Sequence, residues 1–293
     1  MTRRHAISLL AAAAAGAGGG TAPTPMLKRR IPSSGEELPV VGLGTWQTFD
    51  TTRTEPLEAV LRTFVELGGS LVDSSPMYGR SETVAGDLAA KLNLHPRLFM
   101  ATKVWTSGKQ AGIAQMNDSM RKLRVEKLDL MQVHNLVDAN AHLATLSAWK
   151  KEGRIRYLGI THYTSSAYDA VARYLEKHTL DFLQINYSVA EREAEQRILP
   201  LAKERGVAVI VNRPFGGGSA FRDVRNTPLP SFAKDLDCTS WAQLFLKFAL
   251  GHPAVTCAIP ATSKVEHLRD NMAAGRGRMP DEALRKRIAA AMG

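Results

Sequence analysis

The chain has 293 residues, 44% of them hydrophobic and 23% charged, with a formal net charge of +10. This is the composition of an ordinary globular protein, long enough for one large domain or two small ones. The basic residues are scattered, and their longest runs are only three residues, at 28–30 and 285–287, which argues against nucleic-acid binding as the main function. The two cysteines, Cys238 and Cys257, have the spacing of neither a metal site nor a disulfide framework, and a buried free thiol is the expected state.

In chain order, residues 1–25 read as a signal and linker, and 26–293 as one domain. Arg3 and Arg4 precede a weakly apolar stretch at 6–17, followed by glycines and small-residue sites, the layout of a secretory signal. The paired arginines resemble a twin-arginine signal, with Ala6 where that motif usually carries Phe and Ser8 where it often carries Lys. The stretch is short of the roughly 20 strongly apolar residues of a membrane span. Export to the periplasm through the twin-arginine machinery, with no stable membrane anchor, is therefore expected; cytoplasmic residence is the alternative. Gly16, Gly18 and Gly20 imitate a dinucleotide loop, but no strand precedes them.

Two short β-compatible pieces flank the turn signal Ser33, Ser34, Gly35, predicting a hairpin within 28–41. Apolar strand candidates then recur at 40–44, 70–73, 98–103, 128–134, 155–161, 181–186, 206–211 and 254–259. Between them lie helical stripes such as Leu57, Val60, Leu61, Phe64, Leu67, or Trp241, Leu244, Phe245, Phe248. Strands alternating with helices imply parallel βαβ units. Eight of them within about 250 residues favour an α/β fold of the (β/α)8 TIM barrel type, preceded by the N-terminal β-hairpin, over an open doubly wound sheet. The long interruption at 216–237, rich in Gly, Pro and polar residues, is expected to be functional or mobile.

Polar residues appear where these apolar runs stop. Asp73, Lys103 and His134 end the second, third and fourth barrel strands, and neighbouring strands lie about 4.8 Å apart, so the lysine falls between the other two. Tyr78 follows in the loop above. An ammonium beside a phenol, whose ordinary pKa is about 10, is expected to lower it. Asp73 would hold Lys103 charged and oriented. Tyr78 would then protonate a carbonyl oxygen that His134 hydrogen-bonds. A metal site on Asp73, His134 and His162 is the competing chemistry; Lys103 argues against it, and no metal is expected.

GLGTW at 42–46, VDSSPMYG at 72–79, ATK at 101–103, QVHN at 132–135, LGITH at 158–162, QINYS at 184–188 and IPATSKVEHLRDN at 259–271 together resemble the aldo-keto reductase family. The resemblance covers residues 38–271. It implies reduction of an aldehyde or ketone by NADPH on a (β/α)8 barrel without a Rossmann fold. The family's Asp, Tyr, Lys, His tetrad falls on Asp73, Tyr78, Lys103 and His134.

For the cofactor, the resemblance assigns Thr161, His162 and Gln184 to the nicotinamide carboxamide, with His162 standing where the family has Asn. Gly44 and Thr45 join the cofactor set. Asn212 replaces an aromatic that stacks on the nicotinamide. Arg213 is expected to meet the pyrophosphate, since a guanidinium fits phosphate oxygens, and the backbone amides of 215–219 to line the same anion; Pro214, Phe215 and Gly216 complete the cofactor set. Ala261 and His267 stand where many members carry basic residues for the 2′-phosphate, leaving Thr262, Ser263 and Lys264 for that group; Asp270 and Asn271 match the adenine contacts. NADPH is favoured, with NADH possible. Trp46, Met77, Trp105 and Asn135 are expected to wall the site for a small carbonyl substrate. The short C-terminus leaves room for a terminal helix at 281–292 and predicts an open, permissive pocket. The expected protein is a monomeric, exported reductase; the rival is a non-catalytic, sensory NADPH-binding protein of the same fold.

Overall fold

The computed structural model describes residues 24–292, and the expected signal sequence lies outside them. A hairpin of β1 (Lys28–Arg30) and β2 (Glu37–Pro39) comes first, with Arg29 opposite Leu38. Then follow β3 (Leu43–Gly44), α1 (Glu55–Glu66), β4 (Leu71–Asp73), α2 (Ser81–Lys91), β5 (Phe99–Val104) and α3 (Lys109–Leu123). The beat continues with β6 (Leu128–His134), α4 (Ala139–Lys151), β7 (Ile155–Thr161), α5 (Tyr168–Lys177), β8 (Phe182–Asn186), α6 (Ile198–Glu204) and β9 (Ala208–Asn212). The chain ends with α7 (Ser219–Asp223), α8 (Trp241–Leu250), β10 (Val255–Ala258), α9 (Val265–Ala273) and α10 (Glu282–Ala290).

Strands β3 to β10 form one eight-stranded sheet in sequence order, each pair parallel. The sheet curls until its edges meet. Gly42 N–H donates to the Ala258 carbonyl at 2.9 Å, Ala258 N–H to the Val40 carbonyl at 2.9 Å, and Gly44 N–H to the Pro260 carbonyl at 3.1 Å. The outline is that of a (β/α)8 barrel.

Strands buried on both faces read as continuous apolar runs, but the period of two still sorts their side chains. Leu71, Phe99, Ala101, Leu130, Tyr157, Phe182, Ala208 and Ile210 pack in the interior, joined by Ile31 and Leu38 of the hairpin segment. The alternate residues Val72, Met100, Met131, Leu158, Leu183 and Val209 belong to the layer under the helices. The hairpin plugs one end of the barrel. Tyr157 Oη bonds to Ser34 Oγ at 2.7 Å and Glu36 Oε2 at 2.6 Å, and the Arg29 guanidinium donates to the carbonyls of Leu250, His252 and Val255. Continuing the interior parity toward the other end replaces apolar side chains by Asp73, Lys103, Gln132, His134, Thr161, Gln184 and Asn212.

Residues 216–237 differ from the long loop expected. A helical turn at Gly216–Gly218, helix α7 and a 3-10 helix at Ser231–Leu236 occupy the segment. Ala220, Val224, Ala233 and Leu236 are buried, so apolar residues scattered among the polar ones anchor it. Cys238 and Cys257 are both buried and unbridged. Among the described residues, no helix is long and apolar enough to cross a membrane.

Helices α2 and α3 meet at Gly86, where an added Cβ would lie 2.1 Å from the Lys122 carbonyl oxygen. Backbone cannot retreat as a flexible side chain does, and overpacking costs stability. Gly86→Ala is expected to lower unfolding free energy by about 2 kcal/mol, seen as a reduced urea midpoint at unchanged slope.

Candidate active site

The interior polar layer is organised by one buried ion pair. Lys103 Nζ donates to Asp73 Oδ2 at 2.6 Å and to the Ser74 carbonyl at 2.7 Å, with Lys103 fully buried and Asp73 nearly so. Burial disfavours the ammonium, but the adjacent Asp73 carboxylate outweighs it and holds the lysine above its ordinary pKa. The second carboxylate oxygen accepts from Gln184 Nε2 at 2.8 Å and Gln132 Nε2 at 3.3 Å. Thr45 fixes the end of β4 through its N–H at 3.1 Å and its Oγ1 at 3.0 Å to the Asp73 carbonyl.

Tyr78 sits in the turn between β4 and α2, its N–H bonded to the Ser75 carbonyl and its own carbonyl to Ser81 N–H. The Lys103 ammonium lies 5.0 Å from the phenol ring centre. Contrary to the expectation from sequence, the phenol is raised above its ordinary pKa. Burial is the largest influence and penalises the phenolate, while Lys103 pulls the other way without prevailing. Proximity to a cation is visible in a sequence; loss of hydration is not.

His134 stands edge-on to Tyr78 at 5.9 Å between ring centres. Its pKa is pushed down to about 2, first by burial and then by the Lys103 charge, so the imidazole is neutral. Ser75 Oγ lies 3.0 Å from His134 Nδ1 and accepts the Met77 N–H at 3.3 Å. The Ser75 hydroxyl keeps its proton and a second lone pair for Nδ1; the tautomer in which it donates there carries the imidazole proton on Nε2. Ser75 and Gln132 lie within VDSSPMYG and QVHN, and their places two residues from Asp73 and His134 are the sequence signal for their roles.

Above this layer opens a cavity of about 560 Å³, to which Tyr78, His134 and Asp73 contribute. Trp46, Met77, Trp105 and Asn135, the expected substrate wall, all line it, together with Tyr163, which the sequence reading did not single out. Of the expected cofactor residues, Gly44, Thr45, Thr161, Gln184, Asn212, Arg213, Pro214 and Phe215 line it as well. Gly216 is buried beside Gly217 and Gly218, which do line it. Thr161 Oγ1 donates to Gln184 Oε1 at 3.3 Å. His162 stacks on Tyr163 at 5.7 Å, and its Nδ1 accepts from Thr164 N–H at 3.3 Å. Asn212 Nδ2 donates to the His162 carbonyl at 3.0 Å, and Arg213 pairs with Glu191 at 2.9 Å.

The remaining expected cofactor residues do not line this cavity, whose wall ends at Ala261. Thr262 Oγ1 accepts from Lys264 N–H at 3.1 Å in the turn before α9, which also carries Ser263; His267 lies within α9. Asn271 is buried. Both Asp270 oxygens are engaged, accepting from Ser240 Oγ at 2.7 Å and Gln243 Nε2 at 2.6 Å at the start of α8. Among the described residues, no group of three or more His, Cys, Asp or Glu side chains is placed to hold a metal ion.

An acid kept protonated by burial, beside a neutral imidazole donor and over a buried cation, suits protonation of a carbonyl oxygen, the work of a carbonyl oxidoreductase. The model of the Aldo/keto reductase family matches residues 40–289, and the chain belongs to that family. It is 28% identical over 259 residues to methylglyoxal reductase YeaE of Escherichia coli, covering 85% of this chain and 89% of that protein. It is 24% identical over 292 residues to the NADP-dependent D-sorbitol-6-phosphate dehydrogenase of Malus domestica, covering 85% and 89%. Among solved structures it resembles an aldo/keto reductase of Klebsiella pneumoniae in complex with NADP and acetate, at 25% identity and a TM-score of 0.74, covering 86% of this chain and 92% of that one.

The neutral His134 has a consequence for stability. Its folded pKa of about 2 lies below the ordinary 6.5, so between those values the unfolded chain binds a proton that the folded chain refuses. Stability is therefore lost as pH falls below 6.5, at a slope of at most about 1.4 kcal/mol per pH unit for this residue. In urea titrations at pH 4, 5 and 6, His134→Gln is expected to flatten the decline by about 1 kcal/mol per unit.

Proposed function

We propose that this protein reduces aldehydes or ketones to alcohols with NADPH, and that Tyr78 is the general acid. The observation that carries the reading is the Lys103–Asp73 pair buried at 2.6 Å beneath a protonated phenol. The cavity fits a nicotinamide cofactor by its unspent hydrogen-bonding groups. Asn212 Oδ1 and Arg213 Nε are buried without partners among the described residues. The first is an acceptor for an amide N–H; the second is a donor for phosphate oxygen. Thr161, Gln184 and Asn212 would hold the carboxamide, and Arg213 with the 215–218 segment the pyrophosphate. Thr262, Ser263 and Lys264, at the start of α9, would meet the 2′-phosphate, where free N–H groups and the helix dipole favour an anion. When bound, NADPH supplies the hydride to the carbonyl carbon.

The chain's own residues manage the oxygen and its proton. Tyr78 Oη gives its proton to the carbonyl oxygen as negative charge develops there. His134, through Nε2–H, donates to the same oxygen, and because it is neutral it adds no competing acid. Lys103 stabilises the phenolate left behind, and Asp73 holds that ammonium in place. Trp46, Met77 and Trp105 present an apolar wall to the carbonyl's substituents.

The reading extends to a monomeric protein exported through the twin-arginine route, supported by Arg3, Arg4 and the apolar stretch that follows. Changing both arginines to lysine is expected to leave the protein in the cytoplasmic fraction; unchanged fractionation removes the export reading. For the chemistry, Tyr78→Phe is expected to reduce turnover of a carbonyl panel by about a thousandfold, while fluorescence titration with NADPH still reports binding and NADH binds more weakly. Wild-type turnover in that variant would refute the role of Tyr78.

A further inference from the structure

The loop that carries Trp105 is fixed by side chains from three places. Trp105 N–H donates to Gln115 Oε1 at 2.6 Å, and Gln115 Nε2 returns a bond to the Trp105 carbonyl at 3.1 Å. His142 Nε2, from α4, lies 2.7 Å from the Thr106 carbonyl. Asp138 Oδ2, from the loop after β6, accepts the Gly108 N–H at 2.8 Å. His142 is wholly buried, and its ring sits against Gly112 of α3, where a Cβ would come within 2.3 Å of Cε1. A glycine inside a helix costs stability; here it makes room for the ring that holds Thr106.

Backbone groups in a surface loop ordinarily find water. Four in this loop are instead taken by side chains: Trp105 N–H and C=O, Thr106 C=O and Gly108 N–H. Gln115 alone takes two, both on the residue whose indole matters. Trp105 is 41% exposed, lines the cavity, and stands 6.5 Å from His134 between ring centres. An indole held beside the imidazole that meets the carbonyl oxygen limits what can be attached to the carbonyl carbon.

We propose that Gln115 is a positioning residue for acceptor selectivity: by gripping the Trp105 backbone in both directions, it fixes the point from which the indole projects over the cavity, giving a wall that favours bulky, flat substituents and is indifferent to small ones. This rests on the carbonyl-reductase reading above. A loop free to move would offer the same apolar surface but would have to be ordered by each bulky substrate, at an entropic cost that falls on binding. The effect therefore belongs to KM and leaves the chemical step alone.

The test compares wild type with Gln115→Ala and Gln115→Glu, using NADPH with 4-nitrobenzaldehyde as the bulky carbonyl and methylglyoxal as the small one. The alanine variant is expected to raise KM for 4-nitrobenzaldehyde about tenfold at unchanged kcat, and to leave methylglyoxal kinetics within about twofold. In protein labelled with 15N-tryptophan, the Trp105 backbone amide should exchange faster in the alanine variant. The glutamate variant, whose carboxylate accepts the N–H but cannot donate to the carbonyl, should keep that amide protected and recover part of the KM. Equal losses on both carbonyls, a fall in kcat, or a KM for 4-nitrobenzaldehyde that does not move overturns the selectivity role. Unchanged amide exchange overturns the grip itself. If wild type reduces neither carbonyl, the functional reading fails while the exchange measurement still decides whether Gln115 holds Trp105.

Discussion

The site depends on keeping one lysine charged where no water reaches it. An unpaired ammonium in that position would give up its proton, and a lone carboxylate there would take one. Lys103 and Asp73 solve this jointly, at 2.6 Å, and the residues around them complete the arrangement: Ser74 gives the ammonium a carbonyl, and Gln132 and Gln184 occupy the far carboxylate oxygen. Removing either partner of such a pair is far more damaging than the pair's net worth suggests, because it strands the other charge. Strand geometry makes the contact possible. Asp73 pairs in register with Ala101 and Lys103 with Gln132, so all three polar side chains share the interior parity of adjacent strands and converge above the apolar plug.

The same burial shifts the two residues proposed to meet the substrate. Tyr78 is raised and His134 lowered, each chiefly by loss of hydration. Both are thereby neutral and both carry a proton to offer. The Lys103 charge acts in one direction on both, favouring phenolate and opposing imidazolium, so it adds to burial at His134 and subtracts from it at Tyr78. Under the proposed mechanism, a site with one cation and two neutral donors leaves proton transfer to the phenol, since the imidazole has no second proton to lose near neutrality and the ammonium is committed to Asp73.

Much of this was legible in the sequence because period-two patterning needs no three-dimensional knowledge. An apolar run ending in Asp73, Lys103 or His134 places that side chain at a strand edge, and the closed parallel fold then brings the edges together. What escaped sequence reading depends on packing. The direction of the Tyr78 shift follows from how much water the turn excludes. Ser75 was in plain view but had no role until its hydroxyl was seen bridging Met77 N–H and His134 Nδ1. Asp270, expected to contact adenine, has a packing role the sequence did not show, anchoring the start of α8 through Ser240 and Gln243. The 216–237 segment had the composition of a loop, yet four small or branched apolar residues suffice to anchor it.

The two ends of the cavity differ in how complete they are. At the proton end, both oxygens of Asp73 are occupied. Along the cavity wall, Asn135 Oδ1, Asn212 Oδ1 and Arg213 Nε are buried without partners among the described residues. Each such group forgoes about 1–3 kcal/mol relative to a bonded one, and a folded chain ordinarily avoids that cost. Five other such atoms, Gln132 Oε1 among them, belong to residues that do not line the cavity, so it is the accessibility and chemistry of these three that suit a ligand. The donor on Arg213 and the acceptor on Asn212 sit on consecutive residues at the end of β9, so one ligand presenting an anion and an amide would satisfy both. Asn135, one residue beyond His134, lies on the acceptor side, where a polar substituent next to the carbonyl would reach it. The Asp73–Lys103 pair is thus complete within the chain, while the hydrogen bonds of Asn135, Asn212 and Arg213 are left for what enters the cavity.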